Sequence, residues 1–138
     1  MRDEREERGM RREGAPIKSY RCLKAWSEAM RLAQQVYALA VKLPPNDRFG
    51  LVQQLRRSAV SVPSNIAEGH ARGATRDFAR FIAISRGSLA EIETQIELCL
   101  GLGMLNNDEA TPVLACCDEV GRILRGLRKS LDNKLAKT

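Results

Sequence analysis

The strongest structural signal in the chain is the segment 53–69, QQLRRSAVSVPSNIAEG. Its apolar side chains recur every three or four residues, which is the period of one face of an α-helix. Starting one residue earlier, this apolar row comprises Val52, Leu55, Ala59, Val62 and Ile66. Gly69 follows the row, and glycine often closes a helix in the left-handed conformation. The segment therefore predicts one wall of a helical protein, with its end at Gly69.

Pro63 lies inside this row. Proline has no N–H to donate to the carbonyl of Ala59, and its ring crowds that carbonyl. Two outcomes follow: one kinked but continuous helix, or two helices joined near Ser61. The apolar row keeps its phase across Pro63, so the sequence favours the kinked helix.

Apolar rows of the same period predict helices on either side. The first helix runs from Leu23 to Leu43, and Pro44 ends it because the residue before a proline avoids the helical region. The second helix, which contains Pro63, is expected to begin near Asn46 or Asp47, whose side chains can cap its first turn.

The third predicted helix has Thr75 as its cap and continues to Gly101. The fourth opens at residues 106–108, with Thr111-Pro112 as a later alternative start. Three apolar residues between these helices are expected to cover the end of the bundle: Leu102, Met104 and Leu105.

Four helices with short connections predict an all-α, antiparallel up-down-up-down four-helix bundle. The bundle domain is expected to span residues 17–138. Residues 1–16 are a mixed-charge tail with almost nothing apolar to bury, which predicts disorder.

The charge of the chain points to an anionic partner. The formal net charge is +6, and five arginines and five acidic residues cancel within the first fifteen positions. The whole excess therefore belongs to the bundle. One interpretation is a basic protein whose charge serves solubility alone; the other is a protein that binds a polyanion, above all nucleic acid.

Four cysteines stand at positions 22, 99, 116 and 117, without a Cys-x-x-Cys pair. They fall in or beside predicted helices, so we expect reduced, buried thiols in a cytoplasmic protein. No apolar run is long enough to span a membrane, and the charged N-terminus is unlike a secretory signal.

No catalytic site is recognisable in the sequence. His70 is the only histidine, and Glu93 with Glu97 lacks the partners that a di-metal bundle site requires. Phosphate-binding glycine motifs are absent. We therefore expect a protein that is not an enzyme, with no catalytic residue, metal site or cofactor.

Two clusters of cations are candidate nucleic-acid contacts. The first combines the free amides at the start of the third helix with nearby basic side chains that can bind phosphate, namely His70, Arg72, Arg76 and Arg80. The second is a row on one outward face of the fourth helix, namely Arg122, Arg125 and Lys129.

A polar row lies opposite the apolar row of the second helix, and its main members are Gln54, Arg57, Ser58, Ser61 and Asn65. Short hydrogen-bonding side chains are poor helix formers, so a merely solvated face would more readily use Glu and Lys. The row predicts a packed polar contact, with a subunit or with a neighbouring helix. We assign it to an oligomer interface.

Aromatic residues make up only 4% of the chain, and Tyr20 alone looks free of the predicted helix rows. The sequence therefore offers no stacking platform for single-stranded bases. Binding is expected to depend on phosphates and shape, with a steep dependence on salt.

Four motifs resemble a known family. They are Ala25-Trp26 with Ala29-Met30, Phe49-Gly50-Leu51, the run from Gln54 through Gly69, and Arg86-Gly87-Ser88-Leu89-Ala90-Glu91. These motifs resemble those of a family of four-helix-bundle proteins, which are encoded in the intervening sequences of bacterial large-subunit ribosomal RNA genes. The resemblance covers about residues 20–131.

This resemblance implies a cytosolic homopentamer arranged as a barrel, with basic surfaces and no enzymatic activity. It also extends to accessory variability determinants of diversity-generating retroelements, which bind a reverse transcriptase and nucleic acid. We therefore predict a homo-oligomeric RNA-binding protein that does not associate with membranes. The alternatives are the retroelement role, with a reverse transcriptase as partner, and a scaffold protein without a nucleic-acid ligand.

Overall fold

The structure, a computed structural model, describes residues 19–45 and 50–137. These residues form four α-helices and one turn of 3-10 helix, with no β-strand among them. The helices are α1 (Lys24–Ala40), α2 (Leu51–Ala71), α3 (Thr75–Gly101) and α4 (Asn107–Ala136). The prediction of an all-α protein with four helices is confirmed. The predicted tail 1–16 and the predicted caps Asn46 and Asp47 lie outside the described residues.

Each helix packs mainly against two others, in the pairs α1–α2, α2–α3, α3–α4 and α1–α4, and the α2–α3 contact is the most extensive. The apolar rows of α2, α3 and α4 supply the core between them, together with Leu32, Val36 and Leu39 of α1. Its fully buried side chains include Leu32, Val36, Leu55, Val62, Ile66, Ile82, Ile92, Ile96, Val120 and Leu124. Each such side chain stabilises the fold by about 1.5–3 kcal/mol relative to exposure, before the entropy cost of ordering the chain.

Helix α2 passes through Pro63 without interruption, so the alternative of two helices joined near Ser61 is wrong. The helix also continues beyond its predicted end. Gly69 is buried inside it, and the glycine with a left-handed backbone is Gly73, with φ of 81°.

Gly69 allows close packing instead of closing the helix. A Cβ atom placed on Gly69 would lie 2.5 Å from the Cβ of Phe81 on α3, closer than any real pair of carbon atoms in van der Waals contact. The predicted left-handed cap at Gly69 is wrong, because Gly69 lies inside the helix and its backbone is not left-handed. The glycine is needed instead for the close approach of α2 to α3.

The start of α4 agrees with the sequence. The side chain of Asn106 accepts a hydrogen bond from the amide of Glu109 at 2.8 Å, and the Glu109 carboxylate accepts one from the amide of Asn106 at 3.0 Å. This reciprocal capping box satisfies two amides of the first turn. The later start at Thr111-Pro112 is wrong, since both residues lie within the helix.

Other predicted ends differ from the structure. Thr75 is the first residue of α3 and not its cap; Ala74 occupies the cap position and has no side chain to accept a hydrogen bond. Helix α1 ends at Ala40, although Leu43 is still buried. Leu102 is 58% exposed, so it does not cover the end of the bundle as predicted.

Candidate nucleic-acid interface

The four helices bring their basic ends together. One cavity is lined by Leu23 before α1, His70 near the end of α2, Phe78 in the first turn of α3, and Leu127 and Lys134 near the end of α4. The start of α1, the end of α2, the start of α3 and the end of α4 therefore share one end of the molecule, which we call the basic end.

Charge is segregated toward this end. The basic end, taken as residues 19–26, 66–81 and 125–137, holds ten Lys or Arg residues against three Asp or Glu residues. The rest of the described chain holds six basic residues against eight acidic ones. Sequence order does not reveal this separation, because the three segments are far apart in the chain and are joined only by the fold.

Two predicted arginines are held against one aromatic ring. The guanidinium carbon of Arg72 lies 4.9 Å from the ring centre of Phe81, and that of Arg80 lies 4.7 Å from it. Arg72 also pairs with Glu68 at 3.1 Å, and Arg80 pairs with Asp77 at 3.8 Å. Both side chains remain about half exposed. Their charge is thus partly neutralised, while the ring limits their freedom.

The structure divides the first predicted cluster of cations between two places. His70 packs edge-on against Phe78, with ring centres 5.5 Å apart, and lines the cavity that Arg72 does not line. Arg76 is exposed and has no ion pair among the described residues. The structure therefore brings His70 together with Lys134 of α4, and it brings Arg72 together with Arg80.

The predicted row on α4 is exposed along its length, at Arg122, Arg125 and Lys129. Arg122 pairs with Glu119 at 3.1 Å. Arg128, which precedes Lys129 in the sequence, has a structural role instead, because it donates one hydrogen bond to the carbonyl of Ala79 on α3 at 3.1 Å.

Sequence reasoning missed Arg86. This residue of α3 shares a groove with Arg122 and Arg125 of α4, and Gly121 lies at its floor. The groove also contains Glu93 and Asp118. Burial and the Asp118 carboxylate raise the pKa of Glu93, and Arg125 opposes that shift. The signal in the sequence was the basic residue that opens the motif RGSLAE, but the sequence alone does not place this residue beside α4.

Three members of the predicted polar row have partners within the same chain. Ser61 shares a hydrogen bond with Ser88 of α3 at 2.8 Å, and Asn65 donates to the Ser61 hydroxyl at 2.9 Å. Ser58, which is 6% exposed, accepts from Gln95 of α3 at 3.4 Å.

For Ser58 and Ser61 the structure supplies the neighbouring helix α3 as a packed partner, which is one of the two contacts that the row predicted, and Asn65 bonds to Ser61 within α2. Small side chains let α2 and α3 approach closely, and the buried hydroxyls then need partners across that contact. Gln54 and Arg57 are exposed, and the role of the polar row at an oligomer interface stays a prediction.

Tyr20 is not free, contrary to the sequence analysis. Its ring packs edge-on against Trp26, with centres 5.3 Å apart, and Arg21 lies over its other side at 4.9 Å.

A family model described as 23S rRNA-intervening sequence protein matches residues 21–126. The chain belongs to this family. The match includes α1, α2, α3 and most of α4, and thus nearly all of the elements described above. A comparison with curated proteins gives no match.

In this member of the family the four cysteines are buried thiols and form no disulfide. Burial is the main cause that raises the pKa of the Cys116 thiol, and it raises that of Cys117 to about 12. Both thiols therefore stay protonated and weakly nucleophilic at neutral pH. Among the described residues no group of three His, Cys, Asp or Glu side chains is arranged to hold a metal ion.

None of the helices in residues 19–45 and 50–137 combines the length and the apolar character that crossing a membrane requires.

Proposed function

We propose that the protein is a non-enzymatic, cytoplasmic, homo-oligomeric RNA-binding protein that contacts phosphates through its basic end. The observation that supports this most directly is the segregation of charge, with ten basic against three acidic residues at one end of the molecule. Charge placed only for solubility has no reason to collect at one end, whereas a polyanion gains affinity from a continuous positive surface. Membership of the 23S rRNA-intervening sequence protein family favours RNA over other polyanions.

The proposal includes an antiparallel up-down-up-down bundle with a kink at Pro63. Support comes from the contacts between α2 and α3: Ser58 is bonded to Gln95, Ser61 to Ser88, and Gly69 faces Phe81. As the residue number on α2 increases from 58 to 69, the residue number of the partner on α3 decreases from 95 to 81, which is the order expected of antiparallel helices.

The proposal also includes self-association, with a pentameric barrel as the expected form. Three large apolar side chains support it, two on α3 and one directly after it. Ile84, Leu98 and Leu102 are 42%, 48% and 58% exposed, and their spacing of 14 and 4 residues keeps them on one side of the helix, with the exposed Glu91 between the first two. We call these three side chains the exposed apolar row; Leu98 and Leu102 are one turn apart and form the part of it that favours contact with another chain.

RNA binding is tested by titrating a fluorescent RNA hairpin with the protein at several salt concentrations. The double variant Arg76→Gln/Lys129→Gln removes two exposed charges from the basic end that have no ion pair among the described residues. Because each phosphate contact adds about one to the slope of log affinity against log salt, we expect the slope to fall by about two.

The matched control is Arg31→Gln/Lys42→Gln, which makes the same change in net charge at exposed positions outside the basic end. Its slope should stay closer to that of the unmodified protein. Equal losses for the two variants would contradict binding through the basic end. Absence of RNA binding at low salt would leave the scaffold alternative.

Self-association is tested by sedimentation velocity at low micromolar protein. The variant Ile84→Glu/Leu98→Glu should dissociate the oligomer, because it places two charges on the exposed apolar row. Val41→Glu is the control, since Val41 is 75% exposed but lies beyond the end of α1. A monomeric unmodified protein would contradict the proposal.

A further inference from the structure

The cavity at the basic end has a composition that differs from the charged surface around it. One wall is apolar and partly aromatic, with Leu23, Phe78, Leu127 and Leu131. His70 and Lys134 line the same cavity and supply polar groups. Its volume of about 620 Å³ falls within the range of small-molecule sites, roughly 300–1,000 Å³.

The aromatic wall is held in a fixed orientation. The ring of Phe78 packs edge-on against His70, with an interplanar angle of 86°, so the two rings stand nearly perpendicular. Both residues are half-buried, and Leu131, which lines the same cavity, is 5% exposed. An apolar, planar group entering the cavity therefore meets a preformed surface, while an anionic group on the same molecule can reach the ammonium of Lys134.

We propose that this cavity binds one unpaired nucleotide, with its base on the wall formed by Phe78, Leu127 and Leu131 and its phosphate on His70 and Lys134. The inference rests on the proposed RNA binding and makes it more specific. A strand held by its phosphates at the basic end passes the mouth of the cavity, so an unpaired nucleotide of that strand is the occupant that the surrounding charge delivers.

This assignment changes the kind of RNA that the protein prefers. Side-chain contact with phosphates alone does not distinguish a blunt duplex from one with an unpaired end. A cavity for one base does distinguish them, since a base inside a duplex is stacked on its neighbours and is not available. The preferred ligand is therefore RNA with an unpaired end, loop or bulge.

The test compares two RNA hairpins with the same stem, one blunt and one with a single unpaired 3′ nucleotide, by fluorescence anisotropy at one salt concentration. We expect the second hairpin to bind about five- to tenfold more tightly, the lower part of the range seen for stacking of one base on protein side chains. Adenosine monophosphate serves as a second probe, with perturbation of the amide NMR signals of Phe78, Leu127 and Leu131 as the readout.

Two pairs of variants separate the cavity from the surface around it. Ser130→Trp places a large side chain on the cavity wall, and Asn133→Trp places it on an exposed site of α4 outside the lining. Ser130→Trp should remove the preference for the unpaired nucleotide and leave binding of the blunt hairpin unchanged; Asn133→Trp should leave both unchanged. Lys134→Gln should reduce the preference more than Lys137→Gln, although each removes one charge from the same end.

The outcomes distinguish this inference from the function on which it rests. If both hairpins bind equally and adenosine monophosphate perturbs none of the three amides, the inference is wrong and RNA binding stands. If neither hairpin binds, the proposed function fails. A perturbation by adenosine monophosphate would then still support a site for a free nucleotide, and its absence would overturn that as well.

Discussion

Helix α3 has two interfaces that are built in different ways. Toward α2 it presents two small, uncharged polar residues, Ser85 and Ser88, which make hydrogen bonds to α2. On the same side Phe81 packs against Gly69. Toward α4 it presents Leu89 in the interior, and Arg86 and Glu93 at the rim.

The difference lies in how far the polar groups of each contact are already paired within the chain. The α2–α3 contact is close, and its serine hydroxyls are hydrogen-bonded within the chain, so they have little left to offer a ligand. The buried Oε1 of Gln95 is the exception, because it has no hydrogen-bond partner among the described residues. The α3–α4 contact leaves guanidinium and carboxylate groups at an open groove, and the pKa of one of these carboxyl groups, that of Glu93, is raised. Four comparisons based on single substitutions test this contrast, and they are described in order of expected effect.

The largest effect is expected at the apolar part of the α3–α4 interface. Leu89 is 4% exposed, and its Cδ2 atom lies 3.4 Å from the place where a Cβ on Gly121 would be. Leu89→Ala should lower the free energy of unfolding by about 2–5 kcal/mol, because it removes buried methyl groups and leaves a cavity. Urea unfolding measures it, with the exposed Val41→Ala as control; a loss below about 1 kcal/mol would show that α3 and α4 close over the gap.

A smaller effect is expected when methyl groups are added to the two interfaces. Gly69→Ala forces a Cβ into Phe81 and should cost about 1–3 kcal/mol. Gly121→Ala meets only Leu89 and the mobile end of Arg125, both at 3.4 Å, and gains up to about 1 kcal/mol of helix propensity. The same substitution should thus destabilise the α2–α3 contact and leave the α3–α4 contact nearly unchanged. Thermal unfolding compares them, and equal effects would remove the distinction.

Deletion of one buried hydroxyl should cost less. Ser85 is fully buried and donates a hydrogen bond to the carbonyl of Val62 on α2 at 2.9 Å. Ser85→Ala should lower the free energy of unfolding by about 0.5–1.5 kcal/mol. Ser64→Ala, at an exposed position of α2, is the control and should stay within about 0.5 kcal/mol of the unmodified protein. An unchanged stability for Ser85→Ala would indicate that the α2–α3 contact depends on shape alone.

The smallest effect concerns the pH response of the groove. Burial and Asp118 raise the pKa of Glu93 above its ordinary value near 4.5, so the folded state keeps this proton at a pH where the unfolded state has lost it. The free energy of unfolding of the unmodified protein, relative to that of the Glu93→Gln variant, should therefore be lower at pH 7. It should rise as the pH falls through the raised pKa, with no further gain below about 4.5. Urea unfolding at pH 7 and pH 4.5 measures the change, and Glu97→Gln, exposed on the same helix, is the control. A change in the opposite direction would show that Arg125 dominates at Glu93.

The helices were predictable because their apolar rows have a regular period that depends only on local sequence. Val52 to Ile66 were correctly placed in one buried row, and the phase of that row also indicated correctly that Pro63 does not divide the helix. Asn106 was predictable for the same reason, since a capping box is a local pattern.

What the sequence did not reveal depends on contacts between distant residues. Gly69 looked like the end of a helix because its sequence neighbours do not show that Phe81 packs against it. Arg86 lines one groove with Arg122 and Arg125, and His70 lines one cavity with Lys134. Both arrangements depend on the register between helices, which no local sequence pattern contains. Ser58 and Ser61 had the correct chemistry for a packed contact, but their partners lie some 27 to 37 residues away on α3.

The separation of charge along the bundle constrains how copies of the chain can be combined. Rotation about an axis parallel to the helices keeps every copy pointing in the same direction, so a cyclic assembly of this kind has all its basic ends on one rim. A perpendicular two-fold axis would instead divide them between opposite faces. A closed ring with the first symmetry would present a single annulus of positive potential, and under the proposed function the circumference of that annulus would set the length of RNA in contact with it.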